Sequence, residues 1–353
     1  MRLGIMLPNW IGDLAMATPA LRALRKHLPD AELIGLVRPY AAVVLSGTNW
    51  LDGLIQWEHR GWGAIPGNLG TAWRARRQHF DSFILMRRSY TAAAVARASG
   101  ASRIVGYERF GRNWLLTDVL PLPRSNGKLL PVSAVDFYLN LAYEFGCPTE
   151  PKHLELRTTL QEEAAADVIW KELHLAKGQR VMMLNTGSAG ASARHWPIEH
   201  GAALARKVAT ELGMPVVINC GPAERAAAEE MVQLANHRQV KSLAQLPRQL
   251  RGIGPSKAVI RRMQLMVSTD SGPRHLAVAL GVPTISLSGP IDPAWSQNYQ
   301  PDGITLRMDM PCSPCGERVC PLKHHKCMQD LSVEMVFAAI RRKLASVPSR
   351  IAA

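Results

Sequence analysis

Two short stretches carry side chains whose types and spacing suit the binding of an anion. In NTGSAGASARHWP, residues 185–197, Gly187 and Gly190 allow close backbone approach and Ser188 and Ser192 offer hydroxyls. Arg194 sets a fixed cation just before the helix that Pro197 opens. That set suits a diphosphate, although an ordinary flexible loop would also carry it. In STDSGPRHLAVALG, residues 268–281, Asp270 and Ser271 end a predicted strand, Gly272 turns the chain and Pro273 opens a helix. The free N–H groups and positive dipole end of such a helix favour an anion by about 0.3–1 kcal/mol. His275, in the first turn, could donate to a phosphate oxygen or simply be packed, and Asp270 could cap the helix. Neither stretch contains G-x-G-x-x-G or G-x-x-x-x-G-K-[ST], which weighs against a nicotinamide dehydrogenase and a P-loop NTPase.

A third stretch, MLPNWIGDLAMATPALRAL (6–24), also places a glycine turn between strand and helix, but Asp13 follows Gly12 directly. A carboxylate repels phosphate, so this turn is no second phosphate loop. From the local pattern Asp13 reads as a capping carboxylate at a helix start, which leaves open why an acid stands here. A fourth, CSPCGERVCPLKHHKC (312–327), holds four of the chain's six cysteines, Cys312, Cys315, Cys320 and Cys327, with His324 and His325 before the last. Four thiolates could close a structural zinc site or hold an iron–sulfur cluster; packed reduced cysteines and redox-sensitive disulfides are the alternatives. Its x₄ and x₆ gaps do not match the paired C-x₂-C of a zinc ribbon, and its distance from Asp13 in the chain favours structure over catalysis.

These stretches need elements to position them, and the chain supplies a repeated unit of strand, loop and helix. Residues 2–7, 31–37 and 81–86 read as buried strands of a mostly parallel sheet, with Thr18 as an N-cap and Pro19 at the first helical position. CPTEPKHLELR, from Cys147 to Arg157, interrupts the pattern with two prolines and mixed polar residues and reads as an inter-domain connection. The unit then restarts: strands over 179–185, 214–221, 264–270 and 282–289, a helix from Pro197 to Leu212 and another from Pro273. The expected architecture is α/β, with one domain over 1–150 and a second over 151–353 that includes the cysteine-rich segment 312–327. Two such arrays facing a central cleft would bind ligands at the carboxyl ends of their strands.

With 353 residues and 47% hydrophobic side chains, the chain can bury a core in each of two domains. It contains neither a run of about 20 apolar residues nor a signal-peptide pattern, so it reads as cytoplasmic. Lys and Arg number 42 against 28 Asp and Glu, a formal charge of +14. That excess favours nucleic acid, a phosphorylated glycolipid or an anionic membrane surface as partner, against a merely soluble basic protein. A nucleic-acid binder with a metal knuckle would need aromatic and basic residues interleaved for stacking, which a chain with 6% aromatics lacks.

Four motifs in this order resemble a known family across nearly the whole chain. They are W-[IV]-G-D-x-x-x-x-x-P-x-L (Trp10, Gly12, Asp13, Pro19, Leu21), the small-residue loop ending in Arg194, Trp196 and Pro197, D-S-G-P-x-H-L-A (Asp270 to Ala277), and C-S-P-C…C-P-L-x-H-H-x-C-M (Cys312 to Met328). Together they resemble the ADP-heptose:lipopolysaccharide heptosyltransferases of glycosyltransferase family 9. The Asn9-Trp10-Ile11 lead is more similar to the heptosyltransferase II branch than to the I branch. The resemblance implies a GT-B fold of two Rossmann-like domains, the N-terminal one for the acceptor and the C-terminal one for the sugar nucleotide.

It also implies roles. Asp13 would be the general base of an inverting transfer from ADP-heptose to the inner core of lipopolysaccharide. Ser188 and Arg194 would hold the diphosphate, with Arg where many members carry Lys and Thr186 where many carry Pro. Glu224 would contact the nucleoside, or else be a solvated first-turn residue, and Asp270, Ser271, Gly272 and His275 would complete the donor pocket. No cofactor is implied for transfer. Between His59 and Arg112 lie ten Arg and only Asp81 and Glu108 as acids, including Arg87, Arg88, Arg103, Arg109 and Arg112. Such a face suits an acidic acceptor, or is merely solvated. An enzyme of this kind is expected in the cytoplasm, peripheral to the inner membrane. A GT-B transferase for another sugar nucleotide or acceptor would keep every motif.

Overall fold

Apolar at four of its five positions, RLGIM forms β1 (Arg2–Met6) as a strand buried on both faces, which only a central parallel strand requires. The structure, a computed structural model, describes residues 1–57 and 64–347. The chain divides between Arg157 and Thr158 into two units.

In the first, β1 is followed by α1 (Ile11–Met16), α2 (Thr18–His27), β2 (Glu32–Val37), α3 (Pro39–Ala42), β3 (Gly53–Gln56) and α4 (Ala64–Arg76). Then come β4 (Ser82–Leu85), α5 (Tyr90–Ala98), β5 (Arg103–Tyr107), β6 (Asp118–Leu120), the ribbon β7 (Arg124–Ser125) and β8 (Lys128–Leu129), and α6 (Ala134–Tyr143). The second runs α7 (Leu160–Glu172), β9 (Met182–Asn185), α8 (Ile198–Glu211), β10 (Val216–Ile218), α9 (Arg225–Ala235), β11 (Val240–Ser242) and α10 (Ile253–Arg261). It continues through β12 (Leu265–Thr269), α11 (Gly272–Ala279), β13 (Thr284–Ser288), β14 (Ile304–Arg307), α12 (Lys326–Gln329) and α13 (Val333–Ser346).

Both six-stranded sheets are parallel and share one permutation, β3-β2-β1-β4-β5-β6 and β11-β10-β9-β12-β13-β14. Strand order reverses between β1 and β4 and again between β9 and β12. At each reversal the loops leaving the two strands diverge and open a crevice at their carboxyl ends. Packing at the first centre is tight: a Cβ on Gly4 of β1 would lie 2.6 Å from the Phe83 ring on β4.

Two local expectations change. Thr18 is no N-cap, because the chain is already helical before it: Ala17 caps α2 in an αR conformation and its N–H bonds back to the Asp13 carbonyl. The Thr18 hydroxyl instead donates to the Ala15 carbonyl (2.7 Å) and accepts the Glu155 N–H (3.2 Å). The segment that reads as an inter-domain connection is held on the first unit by α2. Arg22 donates to Glu150 (2.6 Å) and to the Pro151 and His153 carbonyls (2.7 and 3.2 Å), and Lys26 adds a 2.9 Å pair with Glu150. Burial of such a charge is tolerable only with this many partners.

In the second unit α7 begins with a capping box, Thr159 with Glu162, and the next acid, Glu163, clamps α10 through Arg261 (2.7 Å) and Arg262 (2.8 Å). Burial alone would raise the Glu163 carboxyl, but hydrogen bonds from Arg261, Thr158 and Arg262 outweigh it and hold the group at about 2. A carboxylate depressed in the fold contributes stability above its unfolded value near 4.3 and loses it as pH falls toward 2. Glu163→Gln is therefore expected to cost about 1–2 kcal/mol at pH 7, allowing for solvent screening, with the difference from wild type closing between about pH 4.5 and 2. Urea denaturation across that range checks it, and an unchanged gap at low pH would show that the carboxylate's charge is not what binds α7 to α10.

Candidate functional site

Asn185, the last residue of β9, stitches the second unit's crevice together. Its Nδ2 donates to the Gly187 carbonyl (3.1 Å) and the Ser271 hydroxyl (3.0 Å), its Oδ1 accepts from Asn219 (2.8 Å), and Thr269 also donates to the Gly187 carbonyl (2.7 Å). The loop after β9 is thereby tied to the turn after β12. Gly187 lets the Glu224 carboxylate pack onto its backbone: a Cβ there would lie 2.3 Å from Glu224 Oε1 and displace it. Glu224 accepts the Gly221 N–H through Oε2 (2.7 Å), whereas its Oε1 is buried without a hydrogen-bond partner among the described residues. A solvated first-turn residue would not show this, and the oxygen is an acceptor waiting for a donor.

Arg194 ends a 3₁₀ turn, Ser192–Arg194, and donates to the Asp270 carbonyl (3.2 Å), while its Nε is buried without a partner among the described residues. Three contacts fix this turn from behind. Trp196, buried, donates to the Leu331 carbonyl (2.9 Å); the Ala193 N–H donates to the Arg318 carbonyl (2.9 Å); and His325 Nε2 donates to the Ala193 carbonyl (2.7 Å). Ser188 is buried, with His195 Nε2 3.0 Å from its carbonyl oxygen.

Asp270 does not cap α11. Ser271 is the N-cap and makes no side-chain cap bond, and the buried Asp270 carboxylate lies 3.0 Å from Arg274. Burial works to raise that carboxyl, and the charges of Arg274 and Arg194 outweigh it, holding it below the usual carboxylate range. Arg274 also reaches Ser286 (3.0 Å) and the Ser296 carbonyl (2.6 Å). His275 is buried beside it; burial, then the Arg274 charge, pushes the imidazole down to about 3, so it is neutral at physiological pH. Its Nδ1 lies 3.5 Å from Asn298. With Asp270 neutralising Arg274, the charges left at the crevice are the Arg194 guanidinium, the positive end of α11 and the Glu224 carboxylate.

In the first unit Asp13 occupies the first turn of α1, after the extended N-cap Trp10, which makes no side-chain cap bond. The fully buried Tyr138 phenol is raised by burial and then by the Asp13 carboxylate, while Arg87 lowers it, so the three share one electrostatic neighbourhood. Arg87, just past β4, lies over the Trp57 ring at 4.5 Å; burial and then Arg38 bring it down to about 10, still charged at neutral pH. Arg38 Nε, Arg87 Nη1 and Arg88 Nε are buried donors without hydrogen-bond partners among the described residues. Arg38 escaped the sequence reading, although its place directly after the predicted strand 31–37 puts it at the carboxyl edge; Asn185, ending a predicted strand, carried the same signal.

The other three arginines differ. Arg112 is fully buried and donates through Nη1 and Nη2 to the Arg87, Ser89 and Tyr107 carbonyls (2.9, 3.2 and 2.7 Å), so it braces the loop, with its Nε left as a further buried donor without a partner among the described residues. Arg103 starts β5, at the amino edge of the sheet, where it binds Asp118 (3.1 Å), the Glu144 carbonyl (3.1 Å) and the Phe145 ring. Arg109 donates to the Arg88 carbonyl (2.6 Å) over the Tyr90 ring. His59 and Arg60, which open the basic run, lie outside the described residues.

The expectation that the cysteines hold zinc or an iron–sulfur cluster is not met. Among the described residues no three His, Cys, Asp or Glu side chains form a group able to hold a metal. Cys327 is buried in the core, 3.1 Å from where a Gly289 Cβ would stand, whereas Cys315 is exposed and Cys312 lies 4.0 Å from His324. All are free thiols, and that of Cys327 is raised by burial and by its three neighbours. His325 is occupied by the Ala193 carbonyl, and His324 Nδ1 accepts the Lys326 N–H (3.0 Å).

Residues 71–326 match the family described as "Glycosyltransferase family 9 (heptosyltransferase)". The chain is 24% identical over 351 residues to lipooligosaccharide heptosyltransferase 2 of Campylobacter jejuni, covering 98% of each chain. Among solved structures, E. coli ADP-heptose lps heptosyltransferase II is matched with a TM-score of 0.80 at 21% identity, covering 98% of this chain and 99% of that one. A family 9 glycosyl transferase from Veillonella parvula gives 0.83 at 22%, covering 98% and 97%. The fold is theirs, two parallel α/β units of the GT-B kind, and the match over residues 71–326 places the chain in glycosyltransferase family 9.

Proposed function

We propose that this chain is a heptosyltransferase of the II type, which moves L-glycero-D-manno-heptose from ADP-heptose to the inner core of lipopolysaccharide with inversion. The observation that carries the reading is the family match together with a likeness to lipooligosaccharide heptosyltransferase 2 that spans 98% of both chains. The residues supply a mechanism. Asp13 takes the proton of an acceptor hydroxyl; that oxygen forms a bond to the anomeric carbon as the bond from the same carbon to the diphosphate oxygen breaks, and ADP leaves. One displacement inverts the configuration. Charge growing on the diphosphate meets Arg194 and the N–H groups that open α11, with Ser188 and Ser271 alongside. Glu224 Oε1 accepts from a hydroxyl of the nucleoside. The buried Asp270, held by Arg274 and flanked by the neutral His275, fixes the turn that presents those N–H groups.

On the acceptor side Arg87 and Arg88, with Arg38, offer unfilled donors to acidic sugars and phosphates. The groups assigned are all the chain's own, so the reading requires no catalytic cofactor. No helix of the described residues is long and apolar enough to cross a membrane. The proposed use of a nucleotide sugar and a lipid-linked acceptor supports a cytoplasmic enzyme peripheral to the inner membrane. A transferase for another sugar nucleotide is the rival; a panel of nucleotide sugars with Kdo-lipid A and heptosyl-Kdo-lipid A separates them, and turnover with ADP-heptose on the heptosylated acceptor is expected.

Asp13→Asn is expected to keep ADP-heptose affinity within a few fold while transfer falls by roughly 10²–10⁴. Single-turnover assays beside calorimetry check both, and near-normal turnover would make Asp13 structural. Arg194→Ala should raise the donor KM and lower kcat, together roughly 10- to 100-fold in kcat/KM, as loss of a charge-assisted contact predicts. Unchanged donor kinetics would move the diphosphate site elsewhere.

A further inference from the structure

The loop between β5 and β6 carries a feature that sugar transfer does not use. Phe110 is 97% exposed and Trp114 77% exposed, two large rings in water on one short turn. They are held there rather than left loose. The Tyr90 hydroxyl donates to the Phe110 carbonyl, and Gly111 takes φ 72° with the Tyr90 oxygen 3.0 Å from where its Cβ would stand. Trp114 Nε1 donates back to the Gly111 carbonyl (3.0 Å), and the buried Arg112 ties the base of the turn to three carbonyls. A fixed pedestal that displays a Phe and a Trp gives up apolar burial the fold could have used, which calls for an external apolar partner.

The surroundings say which kind. Arg109, directly before Phe110, lies over the Tyr90 ring and donates to the Arg88 carbonyl (2.6 Å), and the β7–β8 ribbon carries Arg124, paired with Glu108 two residues before Phe110, and the exposed Lys128. Glu108 meets Arg124 only at 3.5 Å. Aromatic tips ringed by cations match the interface of an anionic bilayer, where Trp and Phe settle at headgroup depth and each nearby Lys or Arg adds attraction. The turn follows the carboxyl end of β5, on the same sheet edge as the Asp13 loop after β1.

We propose that the turn Arg109–Leu115 is a membrane-docking element: Phe110 and Trp114 enter the interfacial layer of an anionic phospholipid surface while Arg109, Arg124 and Lys128 contact its headgroups. Docked in this way, the first unit would hold its acceptor edge toward a lipid-anchored substrate, which is the part that rests on the proposed transfer.

The test uses the full chain with vesicles of phosphatidylethanolamine and phosphatidylglycerol, against pure phosphatidylcholine, with no sugar nucleotide or acceptor present. Wild type should co-sediment with the anionic vesicles, weakly with the neutral ones, and less at high salt. The double variant Phe110→Ser/Trp114→Ser should lose roughly tenfold or more in vesicle affinity while its circular dichroism stays that of wild type. Equal affinity of wild type and variant, or no binding by wild type, overturns the proposal. So does light scattering that shows wild type dimeric and the variant monomeric without vesicle binding, which would give the patch to a second copy. With a deacylated, water-soluble acceptor both proteins should turn over alike. Failure of both there, with vesicle binding intact, would sink the heptosyltransferase reading and leave the docking element standing.

Discussion

Each half of this protein depends on one topological constraint. A parallel strand reaches its neighbour only through a crossover, and crossovers of one hand that leave a central strand first to one side and then to the other must part company there. The reversals between β1 and β4 and between β9 and β12 are those points. Only at their carboxyl ends does the backbone turn outward with free N–H groups and room for a ligand. Asp13 and Arg87 take the first, and Gly187 and Asp270 take the second. Arg103 illustrates the converse, since a cation at the amino end of β5 has a carboxylate, a carbonyl and a ring for company but no crevice to serve.

Charge is then sorted by what each guanidinium already holds. In the second unit Arg274 is neutralised by Asp270, and the neutral His275 adds nothing, so the field in the crevice comes from Arg194, the start of α11 and the Glu224 carboxylate. In the first, Arg112 gives both terminal nitrogens to three carbonyls and keeps only its Nε unfilled, while Arg38, Arg87 and Arg88 also hold buried donors without partners among the described residues. Desolvating several cations side by side is unfavourable, as the lowered Arg87 shows, and an anionic ligand is what would offset it.

Much of this was legible in the sequence, for identifiable reasons. The long apolar runs 2–7, 31–37, 81–86, 179–185, 264–270 and 282–289 all contain strands, because a strand buried on both faces leaves an unbroken hydrophobic signature. β3, β6, β11 and β14 have three or four residues each and sit at sheet edges or beside Arg-rich and polar stretches, so no run announces them. RIVGY of β5 was hidden by the basic stretch around it, read for its charge alone. The glycine and acid motifs lie where the sequence reading set them, at the carboxyl ends of β1, β9 and β12. What letters do not show is direction: ten arginines look alike until some are found donating to carbonyls, and four closely spaced cysteines suggest a metal until Cys327 is found in the core and Cys315 in solvent.

The cysteine-rich segment acquires a different purpose from the same contacts. A loop with Gly187 and Gly190 in it cannot fill itself with side chains, and those two residues carry the entropic cost of that choice. Such a loop has to be fixed from outside. Trp196 anchors its end in the core, and the carbonyl of Arg318 and the imidazole of His325 hold both polar groups of Ala193, one residue before Arg194. Cys327 and Met328 pack against Gly289 at the end of β13, and Ser313 donates to the Gly289 carbonyl (2.7 Å), so the brace is itself rooted in the sheet. Order at Arg194 is thus supplied by residues more than a hundred positions further along the chain, and that dependence accounts for where the segment lies.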